Sequence, residues 1–257
     1  EAPVEVPVQV NKLRKVYAEV TAVDGISFAL NAGSITALLG GNGAGKTTTI
    51  AMLLGLVLPT SGTARVLGHD MSDDRQRALP ALNFSSPYID LPHRLTVRQN
   101  LEVYARLYGL SDVAARCKDL AAQLDVTGFL DRPVGQLSSG QKTRAALAKA
   151  LINEPDVLFL DEPTASLDPD TADWVRTWLE DYRRRTGATL FLASHNMAEV
   201  ERLCDQVLIM KQGRIVERGP PGEMIARYGR ENLEEVFLDI ARGRGRAAAL
   251  LDSAARP

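Results

Sequence analysis

Several features that would point to other kinds of protein are scarce in this sequence. The chain of 257 residues has only two cysteines, Cys117 and Cys204, and they lack the paired spacing of a metal site or a disulfide framework. We therefore expect two buried, reduced thiols, as in a cytosolic protein. No uninterrupted apolar run approaches the roughly 20 residues that a membrane helix needs. If a membrane is involved, we expect other chains to cross it.

Neither sign of charge predominates. The formal net charge is -2, so the chain as a whole has no attraction for a polyanion, and we predict no DNA or RNA partner. The first residues, Glu-Ala-Pro-Val, have no positively charged leader followed by an apolar stretch. The absence of an initiator Met suggests a trimmed or engineered N-terminus.

The N-terminal part of the chain, residues 1–85, is predicted to be mostly strand and turn. The short apolar run 35–39 fits a strand that is buried on both faces of a parallel sheet. A helix is predicted over 47–54. It ends at Gly55, which suits a left-handed cap, and Pro59 prevents its continuation.

The middle of the chain, residues 86–155, has a helical pattern. Apolar residues recur there at steps of three and four, which predicts helices over 96–108 and 112–124. The alternation of strands and helices then resumes, with strand-like runs at 157–160, 189–193 and 206–210 and a helix over 171–185. This order predicts an α/β protein with an inserted helical segment.

A glycine-rich segment, which we call the phosphate loop, extends from Gly40 to Thr47. It reads Gly-Gly-Asn-Gly-Ala-Gly-Lys-Thr and matches G-x-x-x-x-G-K-[ST] between a predicted strand and a predicted helix. Its backbone N–H groups can turn towards phosphates. The alternative is a flexible glycine-rich loop with an accidental lysine. The predicted nucleotide-binding residues are Asn42, Gly43, Ala44, Gly45, Lys46, Thr47 and Thr48.

Polar side chains with chemistry suited to a nucleotide occur in this motif and at the ends of two later strands. Lys46 is predicted to reach the β- and γ-phosphates and Thr47 to ligate Mg²⁺. Asp161 and Glu162 end an apolar strand, and we assign Asp161 to the metal and Glu162 to the attacking water. His195 follows the next apolar strand and is predicted to contact the γ-phosphate and Glu162. The alternatives are an acidic turn and a structural histidine.

The segment that narrows the reaction class is Leu137-Ser-Ser-Gly-Gln141, which we call the signature segment. It resembles the LSGGQ signature of ABC ATPases, with Ser139 where the family usually has glycine. The resemblance implies an α/β fold of the P-loop NTPase (RecA-like) type, with a mixed sheet, an antiparallel β subdomain and an inserted α-helical subdomain. It implies an ABC ATPase domain over 1–220, with 1–85 and 156–220 as the core and 86–155 as the helical subdomain. Residues 221–257 would then form a short extension.

The same resemblance implies further roles for individual residues. Tyr17 would stack on adenine. Ser138, Ser139, Gly140 and Gln141 would contact an ATP that is held by a second copy of the chain, and Asp168, in the segment 165–168, would face the interface between the copies. His195 matches the switch histidine. The implied cofactors are ATP and Mg²⁺, and the implied partners are a second copy and membrane permease subunits at the cytoplasmic face of a membrane.

The sequence departs from the family pattern at the strand that follows the predicted helix 47–54. The family normally has a Gln there that touches Mg²⁺, whereas Ser86 occupies this position in Asn83-Phe-Ser-Ser-Pro87, with Ser85 as the adjacent alternative. A hydroxyl is shorter than a carboxamide, so contact with the metal would require a bridging water or a closer approach of the backbone. The following residues, including Tyr88, Ile89 and Leu91, are expected to form the groove for a permease, or else an ordinary packed loop.

The C-terminal part bears on the kind of ABC system. The segment 232–238, Asn-Leu-Glu-Glu-Val-Phe-Leu, resembles the ending of ATPase subunits of ABC-2 exporters, and it predicts a helix with one apolar stripe formed by Leu233, Val236, Phe237 and Ile240. A soluble ABC ATPase that acts on ribosomes or DNA and an importer subunit remain as alternatives. Basic residues near the end could contact acidic lipid, or belong to a solvated terminus: Arg242, Arg244 and Arg246.

Overall fold

The computed structural model of the chain describes residues 6–86, 90–165 and 167–243. Two compact units are formed, one by the described parts of 1–75 and 189–257, the other by those of 76–188. The second unit extends well beyond the helical segment 86–155, because it also contains two strands and a long helix. The division into functional domains stays a prediction.

The first unit contains an antiparallel sheet. Its strands are β1 (Val8–Tyr17), β2 (Val20–Leu30), β4 (Ser61–Val66) and β5 (His69–Asp70), in the order β2-β1-β4-β5. Alternate residues of β1 and β2 are buried, and Phe28 stacks on Phe191 with ring centroids 5.6 Å apart. This sheet confirms the expected antiparallel β subdomain.

The same unit contains a second, mixed group of strands. These strands are β3 (Ile35–Leu39), β8 (Thr189–Ser194), β9 (Gln206–Lys211) and β10 (Arg214–Gly219). β3 pairs in parallel with both β8 and β9, and β10 pairs antiparallel with β9. All residues of β3 are buried, as in a strand covered on both faces. The predicted strand 35–39 is therefore confirmed.

Four helices accompany these strands in the described part of the first unit: α1 (Lys46–Leu53), α7 (Met197–Leu203), α8 (Pro221–Tyr228) and α9 (Leu233–Ala241). α1 ends before Gly55, whose φ of 67° confirms the predicted left-handed cap. The amphipathic pattern correctly predicted α9. It missed α8, which has Pro220 as its N-cap and Pro221 as its first residue, and whose Met224 and Tyr228 are buried.

The second unit combines helices with a pair of parallel strands. Its helices are α3 (Val97–Leu107), α4 (Val113–Gln123), α5 (Ser139–Ala150) and α6 (Pro169–Thr186), and its strands are β6 (Leu82–Ser85) and β7 (Val157–Asp161). The short helix α2 (Arg75–Ala78) precedes β6. Thr96 and Asp112 cap α3 and α4 with their side chains, so the predicted helices begin where the sequence indicates.

The structure also bears on the two cysteines and on the expected lack of a membrane helix. Cys117 and Cys204 are free and buried, and burial raises the pKa of both thiols. Within the described ranges, no helix combines the length and the apolarity that are required to span a bilayer.

Candidate nucleotide site

The phosphate loop follows β3 directly, and two of its glycines lie where no side chain fits. A Cβ on Gly45, whose φ is +108°, would lie 2.4 Å from the carbonyl oxygen of Ala22. A Cβ on Gly40 would lie 2.6 Å from the carbonyl oxygen of Met210. Both contacts are with backbone atoms, which cannot move as a side chain can. The motif therefore requires glycine here for packing as well as for backbone conformation.

The helix that follows the loop has an N-terminus suited to an anion. α1 begins at Lys46, no side chain caps it at Gly45, and its first turn contains no acidic residue. The positive end of its dipole therefore favours a phosphate at this position. The Lys46 Nζ lies over the loop and donates to the carbonyl oxygens of Gly40, at 2.6 Å, and Gly41, at 3.3 Å. Asn42, Gly43 and Thr47 are exposed, whereas Ala44 is buried.

Tyr17 lies on the strand pair that reaches the phosphate loop. It pairs with Val20 across the β1–β2 hairpin, and Ala22, two residues later, lies against Gly45. Its side chain is 45% exposed, and the Lys15 Nζ lies 4.9 Å from the centre of its ring. An exposed ring beside a phosphate loop can stack on a planar base.

His195 lies at the same edge of the sheet as the phosphate loop. The parallel register of β3 and β8 aligns Leu39 with Ser194, so Gly40 and His195 both follow the carboxyl ends of neighbouring strands. His195 itself is exposed. The residues around it are fixed, because the buried Ser194 hydroxyl donates to Glu199 Oε2 at 3.1 Å and accepts from the N–H of Asn196 at 3.0 Å.

In the second unit, the register of β6 and β7 brings Ser86 beside Asp161. Ser85 pairs with Leu160, and the two residues that follow them are 7% and 5% exposed. Both line a small cavity of about 50 Å³, together with Glu162. Such a space holds a water molecule or two, and the side chains of Ser86, Asp161 and Glu162 contribute oxygen atoms to its wall.

Glu162 has an unusual backbone conformation for a residue with a side chain. Its φ is 49°, in the left-handed region, and its carbonyl oxygen accepts from the N–H of Ala165 at 3.1 Å. A non-glycine residue in this region costs of the order of 1 kcal/mol, and such strain is concentrated at functional sites. The turn directs the chain away from β7 immediately after the carboxylate.

The signature segment forms the start of α5. Ser138 caps the helix, since its Oγ accepts from the N–H of Gln141 at 3.2 Å, and the Gln141 side chain accepts from the N–H of Ser138 at 3.1 Å. Ser138 and Ser139 are exposed. This reciprocal arrangement stabilises the helix start and leaves other first-turn amides directed outwards.

Thr171 connects the signature segment to Asp168 and was not identified from the sequence. A Cβ on Gly140 would lie 3.1 Å from the Thr171 Oγ1. The Thr171 N–H and hydroxyl both donate to the Asp168 carboxylate, at 3.0 and 2.7 Å, and these hydrogen bonds lower the pKa of Asp168. Only the Asp-x-x-Thr spacing of a helix cap could have indicated this residue.

Other residues near Ser86 were also missed. Thr143, Ala146 and Leu147, at helical spacing on α5, line the same cavity. The Lys149 Nζ donates to the carbonyl oxygen of Phe84 at 3.0 Å, at the end of β6, and burial lowers the pKa of this lysine. The i, i+3, i+4 spacing of Thr143, Ala146 and Leu147 places them on one face of α5, and this spacing could have indicated them in the sequence.

Part of the sequence-based interpretation concerns residues outside the described ranges. These residues are Tyr88 and Ile89 of the expected permease groove, Ser166 of the segment 165–168, and Arg244 and Arg246 near the C-terminus. Leu91, by contrast, is described and only 6% exposed.

Comparison with known proteins places these features in a family context. The profile of the ABC transporter family matches residues 23–165. The Nod factor export ATP-binding protein I of Paraburkholderia xenovorans is 39% identical over 226 residues, which are 86% of this chain and 73% of that protein. The protein of the same name from Ralstonia nicotianae is 38% identical over 232 residues, covering 90% and 72% of the two chains.

Solved structures are similar along most of the chain. The structure of an ATP-binding subunit of an ABC transporter superposes with a TM-score of 0.80 at 26% identity, covering 91% of this chain and 99% of that one. The cbiO1 protein of Clostridium perfringens, described as part of the ABC transporter complex cbiONQ, gives a TM-score of 0.78 at 28% identity, with 97% and 100% covered.

Proposed function

Because this chain belongs to the ABC transporter family and is an ABC-type ATPase, we propose that it is the ATP-hydrolysing subunit of an exporter. In this proposal, two copies bind two ATP molecules between them and drive separate permease subunits at the cytoplasmic face of a membrane. The observation that carries the proposal is that one chain contains both a phosphate loop built around Gly45 and an exposed signature segment at the start of α5.

Nucleotide binding is assigned mainly to the first unit. The amides of residues 42–48 and the ammonium group of Lys46 would hold the phosphates, because the N-terminus of α1 is the positive end of the helix dipole and no side chain caps it. Tyr17, with its exposed ring, would stack on the adenine.

The side chains assigned to Mg²⁺ fit the preferences of that ion. They are the hydroxyl of Thr47, the carboxylate of Asp161 and, through water, the hydroxyl of Ser86. Mg²⁺ prefers oxygen ligands and typically takes one or two carboxylates along with substrate phosphates and waters. The cavity beside Ser86 and Asp161 has room for such a water. When bound, the ion would neutralise charge on the phosphates.

The proposed chemistry is in-line attack of water on the γ-phosphorus. Glu162 would accept a hydrogen bond from this water and polarise it, and its strained backbone holds the carboxylate at the end of β7. Lys46 would stabilise charge that develops on the γ-phosphate oxygens. His195, at the carboxyl end of β8, would contact the γ-phosphate and orient the attacking group.

Each copy would carry two half-sites. The outward-directed amides near Ser138 and Gly140 form a helix N-terminus suited to the γ-phosphate of an ATP on the other copy. ATP would then hold the two copies together through its charges, and hydrolysis with phosphate release would let them separate. Ser139 and Gln141 belong to the same contact, and Asp168 would lie at the interface.

The direction of transport is inferred from the relatives. The Nod factor export proteins resemble this chain over 86% to 90% of its length. An export subunit is therefore the function that sequence similarity favours. The test is co-purification of this chain with permease subunits from membranes and ATP-dependent release of cargo from cells or vesicles. Purification of this chain from membranes without any permease subunit, or ATP-driven uptake of cargo, would contradict the proposed export function.

Ser138 offers a test of the second half-site that separates folding from nucleotide contact. Ser138→Asp keeps a capping acceptor for the Gln141 N–H but places a negative charge at the γ-phosphate position. We expect normal thermal stability and loss of the ATP-dependent dimer, measured by light scattering.

The matched variant Ser138→Ala removes the cap without adding charge. It should lower the free energy of unfolding by about 1 kcal/mol, while ATP still brings two copies together. If Ser138→Asp dimerises with ATP as well as the unmodified chain does, the signature segment does not face the phosphate.

Ser86 offers a test of coupling to the permease. Ser86→Gln restores the side chain that is usual in the family and fills the cavity of about 50 Å³ beside Asp161. We expect the basal ATP turnover to persist and the stimulation by permease subunits to change. Steady-state turnover with and without the permease measures both quantities, and Ser85→Gln tests the adjacent alternative position. Identical profiles for Ser86→Gln and the unmodified chain would contradict altered coupling.

A further inference from the structure

The turn between β9 and β10, residues 211–214, lies against the phosphate loop. The N–H of Gly213 donates to the carbonyl oxygen of Ala44 at 3.0 Å. Met210, which precedes the turn, has its carbonyl oxygen 2.6 Å from the position that a Cβ on Gly40 would take. The loop therefore rests directly on the backbone of this hairpin, and a shift of the turn would displace the loop.

Lys211 connects this turn to the end of α9. Its Nζ donates to the carbonyl oxygens of Ile240 and Ala241, at 3.0 Å each. These carbonyls belong to the last turn of the helix, beyond the reach of its regular i to i+4 hydrogen bonds, and that of Ile240 also accepts from the N–H of Gly243 at 3.1 Å. The ammonium group also opposes the negative end of the helix dipole.

The rest of α9 is held firmly by other contacts. Leu233 and Val236 are fully buried, and the N–H of Leu233 donates to Glu201 Oε2 at 3.0 Å. Arg230 and Asp239 form an ion pair at 2.7 Å, in which both side chains are only 5% exposed. The helix is thus a fixed element to which Lys211 can tie the turn.

A cavity of about 290 Å³ lies between α9 and the phosphate loop. Its walls are the loop residues 41–44, residues 209–212, and Phe237, Ile240 and Ala241 of α9. Because this space is not filled by side chains, apolar packing between helix and loop is incomplete there. Polar contacts from Lys211 consequently carry more of the connection at this end of α9.

We propose that Lys211 is a positioning residue for ATP binding. By holding the end of α9 to the β9–β10 turn, it keeps the phosphate loop in the conformation that accepts phosphates. Lys211 contacts helix carbonyls and is not assigned to the nucleotide. The inference rests on the proposed role of the phosphate loop, so its test must distinguish the two.

The test compares nucleotide affinity among three variants of the full chain. Lys211→Met keeps the apolar stem and removes the ammonium group, and we expect the dissociation constant for ATP to rise about fivefold, at the low end of typical coupling between sites. ATP turnover at saturating ATP should stay unchanged. Lys211→Arg can still donate to both carbonyls and should restore the affinity. Lys118→Met, at an exposed position on α4, is the matched control.

A second measurement separates positioning from a general loss of stability. Amide hydrogen exchange should become faster in 40–46 and 211–214 in Lys211→Met, while exchange in β8 and the melting temperature change little. Unchanged ATP affinity in a folded Lys211→Met would overturn the proposal. So would a joint loss of affinity and stability that Lys211→Arg does not restore. If Lys46→Ala leaves ATP binding intact in the unmodified background, the assignment of the loop fails, and the role of Lys211 with it.

Discussion

Replacing Glu162 by Gln should leave ATP binding intact and reduce ATP turnover by about 10²- to 10⁴-fold, the usual contribution of a general base. The carboxamide has almost the same shape as the carboxylate but is not basic, so water is no longer activated. The backbone at φ 49° is equally strained in both, so the fold should not change. With hydrolysis blocked, ATP should accumulate in a stable dimer.

Three measurements check this result: phosphate release at saturating ATP, equilibrium binding of ATP, and the mass of the complex in solution with and without ATP. Glu234→Gln is a matched control, since Glu234 is exposed in the first turn of α9. Turnover that persists in Glu162→Gln would refute Glu162 as the residue that activates water.

Replacing Gly45 by Ala should have the second large effect, on both folding and nucleotide binding. The new Cβ would meet the carbonyl oxygen of Ala22 at 2.4 Å, at a φ of +108°. We expect the free energy of unfolding to fall by at least about 2 kcal/mol. The loop would also have to move, and losing one or two hydrogen bonds to charged phosphates would weaken ATP binding about 100-fold.

Gly41→Ala is the matched control within the same loop. A Cβ on Gly41 meets no atom within 4 Å, and its φ lies outside the strained positive range. We expect nearly normal stability in chemical denaturation and normal affinity in titration with ATP. Equal effects of the two substitutions would mean that the close contact at Gly45 does not control the loop.

Local sequence signals predicted much of the fold because the interactions that produce them are local. Thr96 and Asp112 accept from amides three residues away, so helix starts are visible in the sequence. The uninterrupted apolar run of β3 indicates a strand that is buried on both faces. α8 was missed because Pro220 at its N-cap and Pro221 at its first position resemble a break until the burial of Met224 is known.

The candidate site likewise combines features that the sequence shows with features that only the structure shows. The phosphate loop, Asp161 with Glu162, and the signature segment are short motifs whose residues are adjacent in the chain. Their proximity to other residues is a matter of strand register. The pairing of Ser85 with Leu160 brings Ser86 beside Asp161, and the pairing of Leu39 with Ser194 brings His195 to the edge where the phosphate loop begins.

By itself, the sequence determined the chemistry: a loop for phosphates, two carboxylates at a strand end, and a helix start of the ABC type. Only the tertiary structure decided which groups hold these motifs in place. The contact of Gly45 with Ala22, the hydrogen bonds between Thr171 and Asp168, and the connection from Lys211 to α9 all depend on where chain segments meet. Motifs can be recognised in the sequence because their geometry is local. The contacts that hold them in place arise from packing between segments that are distant in the chain.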